Sequence, residues 1–325
     1  MFTELLVPLD GSPLAEAAIP HAAELARRLA GGLRLVRVHV PFTMVASPPE
    51  TAFFIPDPSW DVQVRENARR WLAQKAQETR SLTGIPVTFE VRVGSPVDEI
   101  AGAAAERDVR AIVCSTHGHG GWALEWLGSV ADGLIRRAAC PVFAMSEAAA
   151  ARSEDVRKVL VLLDGSDVSE AILPHAVWLA NAFHSEVELL RVVAPPWIGD
   201  SLTALSADEE DPFGVNASAE AAKRTLGQIT SALGRRGFKA SSTVVVDASP
   251  ARAILEHIAR SKPDAVALAS HGRGLSRLFL GSVADKVLRA GGVPALLFRH
   301  RQPALVDRAL PALEADEHVM ASSPA

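Results

Sequence analysis

The 325-residue chain repeats itself, and the repeat fixes what it can fold into. Asp10-Gly11-Ser12 returns as Asp164-Gly165-Ser166, an offset of 164 − 10 = 154 residues. Pro20-His21-Ala22 returns at that offset as Pro174-His175-Ala176, Arg37-Val38 as Arg191-Val192, Ser95-Pro96 as Ser249-Pro250, and His117-Gly118 as His271-Gly272. Gly128-Ser-Val-Ala-Asp132 returns as Gly281-Ser-Val-Ala-Asp285 at 281 − 128 = 153, and Pro141 and Pro294 keep the shorter offset. The second copy has therefore lost one residue between His271 and Gly281. A period this long is a domain, not the repeat of a solenoid. Two domains are expected, at 1–147 and 156–300, with a tail at 301–325. The seam at 148–155 is Ala-rich and then charged, and reads as a linker with no turn of its own.

Within the first copy, residues 2–9 are apolar and strand-like. Asp10-Gly-Ser-Pro13 breaks the run, with Ser12 placed to cap a helix and Pro13 suited to its first turn. Residues 14–29 carry apolar residues at helical spacing, and Gly31-Gly32 is expected to end that helix. Strands are expected at 33–40, 86–93, 110–115 and 141–145, and helices at 60–82, 95–106 and 129–138. Residues 41–58 are rich in Pro and Ser and read as a loop. Strands alternating with helices imply a parallel sheet covered on both faces. With five strands, the doubly wound order is 3-2-1-4-5. Its switch point lies between strands 1 and 4, and ligands bind outside the carboxyl ends of strands at such a point. Strand 1 ends at Asp10 and strand 4 at Ser115.

Those two ends carry the informative residues. After Ser115 comes Thr-His-Gly-His-Gly-Gly and, further on, Gly128-Ser129 at the start of a helix; the second copy has Ala269-Ser-His-Gly-Arg-Gly and then Gly281-Ser282. Glycines let a ligand approach the backbone without a Cβ in the way, and a helix N-terminus offers unpaired N–H groups and the positive end of a dipole. The combination is a candidate phosphate cradle. Other nucleotide signatures fit less well: the first turn is not Gly-x-Gly-x-x-Gly, and no Gly-Lys-Ser/Thr occurs.

On these residues the chain resembles the universal stress protein family in its tandem form. The family pattern is a glycine, two residues, a second glycine, nine residues, then Gly-Ser/Thr, with an Asp ending strand 1. Copy 1 has Val7-Pro-Leu-Asp10, then Gly118, nine residues and Gly128-Ser129. The resemblance covers 1–146 and 157–299. It implies two five-stranded parallel α/β domains of Rossmann-like, adenine-nucleotide alpha-hydrolase-like type. It also implies a stress-response regulatory protein whose ligand is ATP, with or without magnesium. Carried over, the nucleotide contacts would be Pro8, Asp10, Val40, Ser115, Gly118, Gly128, Ser129 and Val130. In the second copy they would be Asp164, Ala194, Ala269, Gly272, Gly281, Ser282 and Val283. The Asp and the backbone ending strand 2 would hold the adenosine; the loop amides and the Gly-Ser pair would hold the phosphates. Ser115 and Ala269 replace the first glycine of the pattern, copy 2 has only eight residues between Gly272 and Gly281, and Leu162 replaces Pro8. Copy 1 thus has the better loop spacing. Copy 2 has the better charge, with Arg273 and Arg277 where copy 1 has His119 and no arginine. Two alternatives stay open: a slow ATPase, and a module that binds no nucleotide and acts through protein contacts.

Composition narrows the partners. Hydrophobic residues are 48%, charged residues 22% and the net charge is −5, a profile of an ordinary globular protein without a basic stripe for nucleic acid. No signal-peptide pattern opens the chain and no apolar run approaches a membrane span, so a cytoplasmic protein without a membrane partner is expected. A homo-oligomer and unnamed protein partners remain open. Cys114 and Cys140 match Leu268 and Val293, which marks them as core positions and not metal ligands. His117 reads as a brace for its loop, and no residue stands out as a catalytic base, so a binding protein is expected before an enzyme.

Overall fold

The structure, a computed structural model, describes residues 3–41, 58–106, 109–117, 127–195, 214–270 and 281–299. The chain divides into two compact units, Met1–Asp155 and Val156–Ala325. The tail at 301–325 lies outside the described residues. In the first unit the elements are β1 (Glu4–Pro8), α1 (Pro13–Glu16), α2 (Ala18–Arg28), β2 (Gly32–His39), α3 (Pro58–Thr83), β3 (Val87–Val93), α4 (Pro96–Ala104), β4 (Val109–Ser115), α5 (Ser129–Arg137), β5 (Val142–Met145) and α6 (Glu147–Ala150). The second unit has β6 (Lys158–Leu162), α7 (Asp167–Glu170), α8 (Leu173–Phe183), β7 (Glu186–Val193), α9 (Val215–Arg235), β8 (Ala240–Val246), α10 (Pro250–Ser261), β9 (Ala265–Ala269), α11 (Ser282–Ala290) and β10 (Ala295–Phe298).

In each unit the five strands pair parallel in the expected order: β3-β2-β1-β4-β5 in the first, β8-β7-β6-β9-β10 in the second. The reason is legible in the strands. Leu5-Leu6-Val7 of β1 and Ala111-Ile112-Val113 of β4 are fully buried, as are Val159-Leu160-Val161 of β6 and Ala265-Val266-Ala267 of β9. Strands apolar at consecutive positions need cover on both faces, which only the centre of a parallel sheet provides. β3 and β8 mix polar and apolar residues and take the edges. The long helices press one stripe on the sheet: Ala68, Leu72, Ala76 and Thr79 in α3, and Ala219, Ala222, Leu226 and Leu233 in α9. Buried Thr79 donates its hydroxyl to Lys75 O at 2.8 Å, so its polar atom is satisfied within the helix.

Three local readings change. The single helix expected at 14–29 is two, α1 and α2, with Ala17 between them. Pro20 is the cause: it lacks the N–H that would bond Glu16 O, and its ring crowds that carbonyl. Pro174 breaks α7 from α8 in the same way. The stop of α2 is not made by the glycines; the left-handed residue is Ala30 (φ 49°), with Gly31 N–H donating to Ala26 O at 2.9 Å, and its counterpart after α8 is His184 (φ 54°). The seam also holds structure: Ser146 Oγ accepts from Ala149 N at 3.3 Å and starts the short α6.

Packing on the sheet sets a contrast that unfolding measurements can read. Leu72→Ala removes a fully buried side chain and should cost ~2–5 kcal/mol. Gly227→Ala, inside α9 with open space where the Cβ would go, should stabilise by ~0.5–1 kcal/mol. Urea unfolding followed by circular dichroism should shift in opposite directions for the two variants.

Candidate functional site

β1 lies between β2 and β4, and the chain leaves β1 to build one side of the sheet before crossing to the other. The carboxyl ends of these three strands therefore stand side by side, with β2 and β4 two strand spacings, ~10 Å, apart. Val40 is one residue beyond β2, Pro8 closes β1, and Ser115 closes β4. Ala194 and Ala269 hold the matching places after β7 and at the end of β9. Asp10, Ser115 and Gly128 thus come to one edge, as do Asp164, Ala269 and Gly281.

The turn after β1 is held from within. Leu9 N–H still bonds Val36 O at 2.8 Å, which carries the ladder one residue past the strand. Asp10 Oδ1 then accepts from Ser12 N at 2.8 Å, and Ser12 Oγ accepts from Ala15 N at 3.1 Å to cap α1. The second copy repeats both bonds: Ser166 N donates to Asp164 Oδ1 at 2.8 Å, and Ser169 N to Ser166 Oγ at 3.2 Å. It adds Ser166 Oγ on Asp164 Oδ1 at 2.6 Å and Ser169 Oγ on Ser166 O at 2.7 Å. Each Asp is thus a turn residue in its own right. Asp10 is exposed and Asp164 half-buried.

One residue that sequence reasoning did not assign to the site stands beside each turn. Gly11 has φ +88° and Gly165 φ +80°, values that disfavour any side chain. Space is a second reason for glycine there. A Cβ on Gly11 would sit 3.3 Å from Arg37 Nη1, and one on Gly165 would overlap the Arg191 guanidinium. Arg37 also lies over Trp71 of α3, its Cζ 4.9 Å from a ring centroid, so Trp71 and Gly11 both pack against the guanidinium. At Trp71 + 154 the second copy has Thr225. The signal that could have found these arginines is the Arg-Val pair recurring at the common offset, which marked the duplication without suggesting a role.

The far side of the site is the start of α5. Gly128 N donates to Thr116 O at 2.8 Å, and Thr116 N to Met145 O at 2.9 Å, which ties the helix start to the end of the sheet. Gly281 N to Ser270 O (3.0 Å) and Ser270 N to Phe298 O (3.1 Å) repeat this. The caps are Gly128 and Gly281, with no side-chain cap bond. Ser129 and Ser282, weighed as N-caps from sequence, are instead the first helical residues, followed by Val130 and Val283, and both serines are exposed. Gly128 has φ −58°, so its freedom is not why it is glycine. A Cβ there would lie 2.8 Å from Thr116 O, whereas at Gly281 the same contact is 3.3 Å. Gly118 and Gly272, with His119, Arg273 and Arg277, lie outside the described residues.

His117 Nδ1 lies 3.0 Å from Thr116 Oγ1, and Ser115 Oγ donates to His117 O at 2.6 Å, which fits a histidine that braces its loop. Burial pushes the Cys114 thiol up to about 12 and the Cys140 thiol up to about 11, so neither is a nucleophile at neutral pH. The acids in the first helical turns differ between copies. Glu16 pairs with Lys75 of α3 at 2.9 Å. Its counterpart Glu170 has its carboxyl held above the usual range, by burial first and then by Asp167, against Arg191, with Asp164 adding to the rise. The second turn therefore crowds Asp164, Asp167 and Glu170 together, without a lysine in the place that Lys75 takes beside Glu16. Among the described residues no group of three or more His, Cys, Asp or Glu could hold a metal ion, and no helix is long and apolar enough to cross a membrane.

Comparison with known proteins agrees with the fold. The family model described as "Universal stress protein family" matches residues 1–145 and again 155–299. A universal stress protein of Mycobacterium tuberculosis (strain ATCC 25618 / H37Rv) is 31% identical over 302 residues, covering 91% of this chain and 96% of the relative. A second from the same strain is 29% identical over 311 residues, with the same coverage of each chain. The crystal structure of a universal stress protein from Archaeoglobus fulgidus DSM 4304 superposes with a TM-score of 0.67 at 19% identity, covering 91% of this chain and 98% of that one. At that identity the likeness speaks for the fold, and the two sequence matches speak for descent: the chain belongs to the universal stress protein family, with two family domains in tandem.

Proposed function

We propose that each domain binds one adenine nucleotide, ATP first among them, at the carboxyl edge of its central strands, and that the protein acts as a nucleotide-responsive regulator in the stress response. The observation that carries this reading is the repetition of one arrangement in two copies. An Asp-Gly-Ser turn with the same Asx bond, an arginine packed on its glycine, and a Gly-Ser helix start pinned to the neighbouring strand recur together. A turn needed only for the fold requires neither the arginine nor the helix start beside it. In this reading the carboxylates of Asp10 and Asp164 face the nucleoside, with the backbone at Val40 and Ala194 beyond them. The first-turn N–H groups at Ser129-Val130 and Ser282-Val283, which have no partner within a helix, receive phosphate oxygens. Arg37 and Arg191 add the positive charge that an anionic ligand calls for. Magnesium, if it comes, comes on the phosphates.

Calorimetric titration with ATP, ADP and adenosine tests this. Asp10→Asn and Asp164→Asn are the suitable variants, because the amide oxygen can still accept the Ser12 or Ser166 N–H and leave the turn intact. Each should weaken one of two sites by roughly ten- to a hundredfold, the loss of a charge-assisted hydrogen bond of ~1.5–3 kcal/mol. Double-variant titrations that match wild type would place the ligand elsewhere. A wild type that takes up no nucleotide would favour the module that acts through protein contacts.

Gly281→Ala separates phosphate from nucleoside. At 3.3 Å from Ser270 O the added methyl needs that carbonyl to give by only a few tenths of an ångström, and it stands at the helix start. ATP and ADP should bind the second site about tenfold more weakly, with adenosine unchanged. Gly128→Ala does not serve, since its 2.8 Å contact with Thr116 O disturbs the fold regardless of ligand.

A further inference from the structure

Away from the sites, at the amino end of each sheet, the two domains carry ion networks whose signs are reversed at three matching positions, while Glu90 and Arg92, which also join the first network, match Val244 and Val246. In the first, Arg34 of β2 bonds Glu4 of β1 (Nε to Oε2, 2.7 Å) and Glu106 just beyond α4, with Glu90 of β3 at 3.8 Å. At +154 the second domain has Glu188 for Arg34, Lys158 for Glu4 and Arg260 for Glu106. Lys158 Nζ lies 3.3 Å from Glu188 Oε2. His257, in place of Ala103, bonds Glu188 Oε1 at 2.7 Å through Nε2, and its Nδ1 lies 3.1 Å from Arg260 Nη2. An arginine can only donate, so these contacts assign His257 as the neutral tautomer, accepting at Nδ1 and donating at Nε2.

The strands that hold these charges are otherwise alike. Leu5-Leu6-Val7 matches Val159-Leu160-Val161, and Leu33, Leu35 and Val36 match Val187, Leu189 and Leu190, all of them buried. The registers are the same too: Leu6 pairs with Arg34, and Leu160 with Glu188. Apolar pattern and register alone therefore permit β1 to pair with β7 and β6 with β2. Chains of two similar domains are prone to that kind of misassembly. The charges forbid it. In a crossed sheet of the same register Glu4 would stand opposite Glu186 and beside Glu188, and Lys158 would stand beside Arg34. Glu4 and Glu188 are each only 7% exposed in their own domains, so little water would screen the repulsion.

We propose that the reversed ion networks at Glu4–Arg34–Glu106 and Lys158–Glu188–Arg260 act as an address that makes each first strand pair with the second strand of its own copy. Opposite signs within a copy stabilise the correct pair, and like signs between copies penalise the crossed one. The device belongs to folding and is independent of whether either domain binds nucleotide.

The test refolds the full chain from urea. Reporter cysteines replace Thr3 and His184 in a C114L/C140V background; when β1 pairs with β7, Thr3 stands opposite Ser185 and so one residue from His184. A short bismaleimide is added in the first seconds, and the cross-linked fraction is read by mass spectrometry. The variant K158E/E188R/H257A/R260E gives the second domain the residues of the first at all four positions, so both copies carry the same signs. Its cross-linked fraction should rise roughly three- to tenfold over the unchanged network, the effect of a few cross-strand charge pairs. If that variant does not reach a native state, the unchanged network decides the matter on its own. Refolded in about 1 M salt, where the Debye length falls to ~3 Å, it should show a comparable rise over low salt. Equal cross-linking in the variant and the unchanged network, or no salt dependence in the latter, would overturn the proposal.

Discussion

Everything at the candidate sites depends on β1 being hydrogen-bonded on both sides, to β2 on one edge and β4 on the other. That position puts the Asp-Gly-Ser turn beside the end of β4 and makes the crevice between them. It follows from solubility more than from any specific contact. Leu5, Leu6 and Val7 are apolar at three consecutive positions and put apolar side chains on both faces of β1, so the strand lies where both faces are covered. Burying one such side chain contributes ~1.5–3 kcal/mol, and a one-residue slip would not expose a polar face to compensate. The second domain makes the same choice with Val159, Leu160 and Val161.

The duplication turns the molecule into its own comparison. What both copies keep is the turn, its Asx bond, the arginine on the glycine and the pinned helix start. What they change is the support. In the first copy Arg37 rests on Trp71, and Glu16 is neutralised by Lys75. In the second Thr225 replaces the ring, Glu170 is half-buried among acids, and the turn instead gains hydroxyl bonds from Ser166 and Ser169. One scaffold thus carries two candidate sites of different electrostatic character.

The glycines illustrate how a residue can have more than one reason. Gly11 and Gly165 combine a positive φ with the close approach of a guanidinium. Gly128 has an ordinary φ, and what excludes a side chain is the Thr116 carbonyl 2.8 Å away from where the Cβ would be. From sequence Gly128 belongs to glycine-rich phosphate chemistry, while Gly11 and Gly165 read only as part of the turn that ends the first strand. In three dimensions part of that signal is packing, and at Gly281, the counterpart of Gly128, the same contact is looser at 3.3 Å to Ser270 O.

By itself the sequence determined the two-domain plan, the five-stranded parallel order and the strand ends at which Asp10, Ser115 and Gly128 meet. These are consequences of a repeat, of apolar periodicity and of turn chemistry, all of which act over short stretches of chain. The break at Ala17 was within reach as well, since Pro20 removes a definite N–H four residues on from Glu16. Tertiary structure alone decided the rest, because it concerns residues far apart in sequence. Arg37 meets Gly11 only after β2 has paired with β1, and Trp71 covers Arg37 only after α3 has crossed the sheet. The reversed networks are the plainest case. Glu4, Arg34 and Glu106 are ordinary surface-type residues in a linear reading, and their sign relation to Lys158, Glu188 and Arg260 acquires meaning only when register and crossover bring each set together, since a charge has no partner until the fold supplies one.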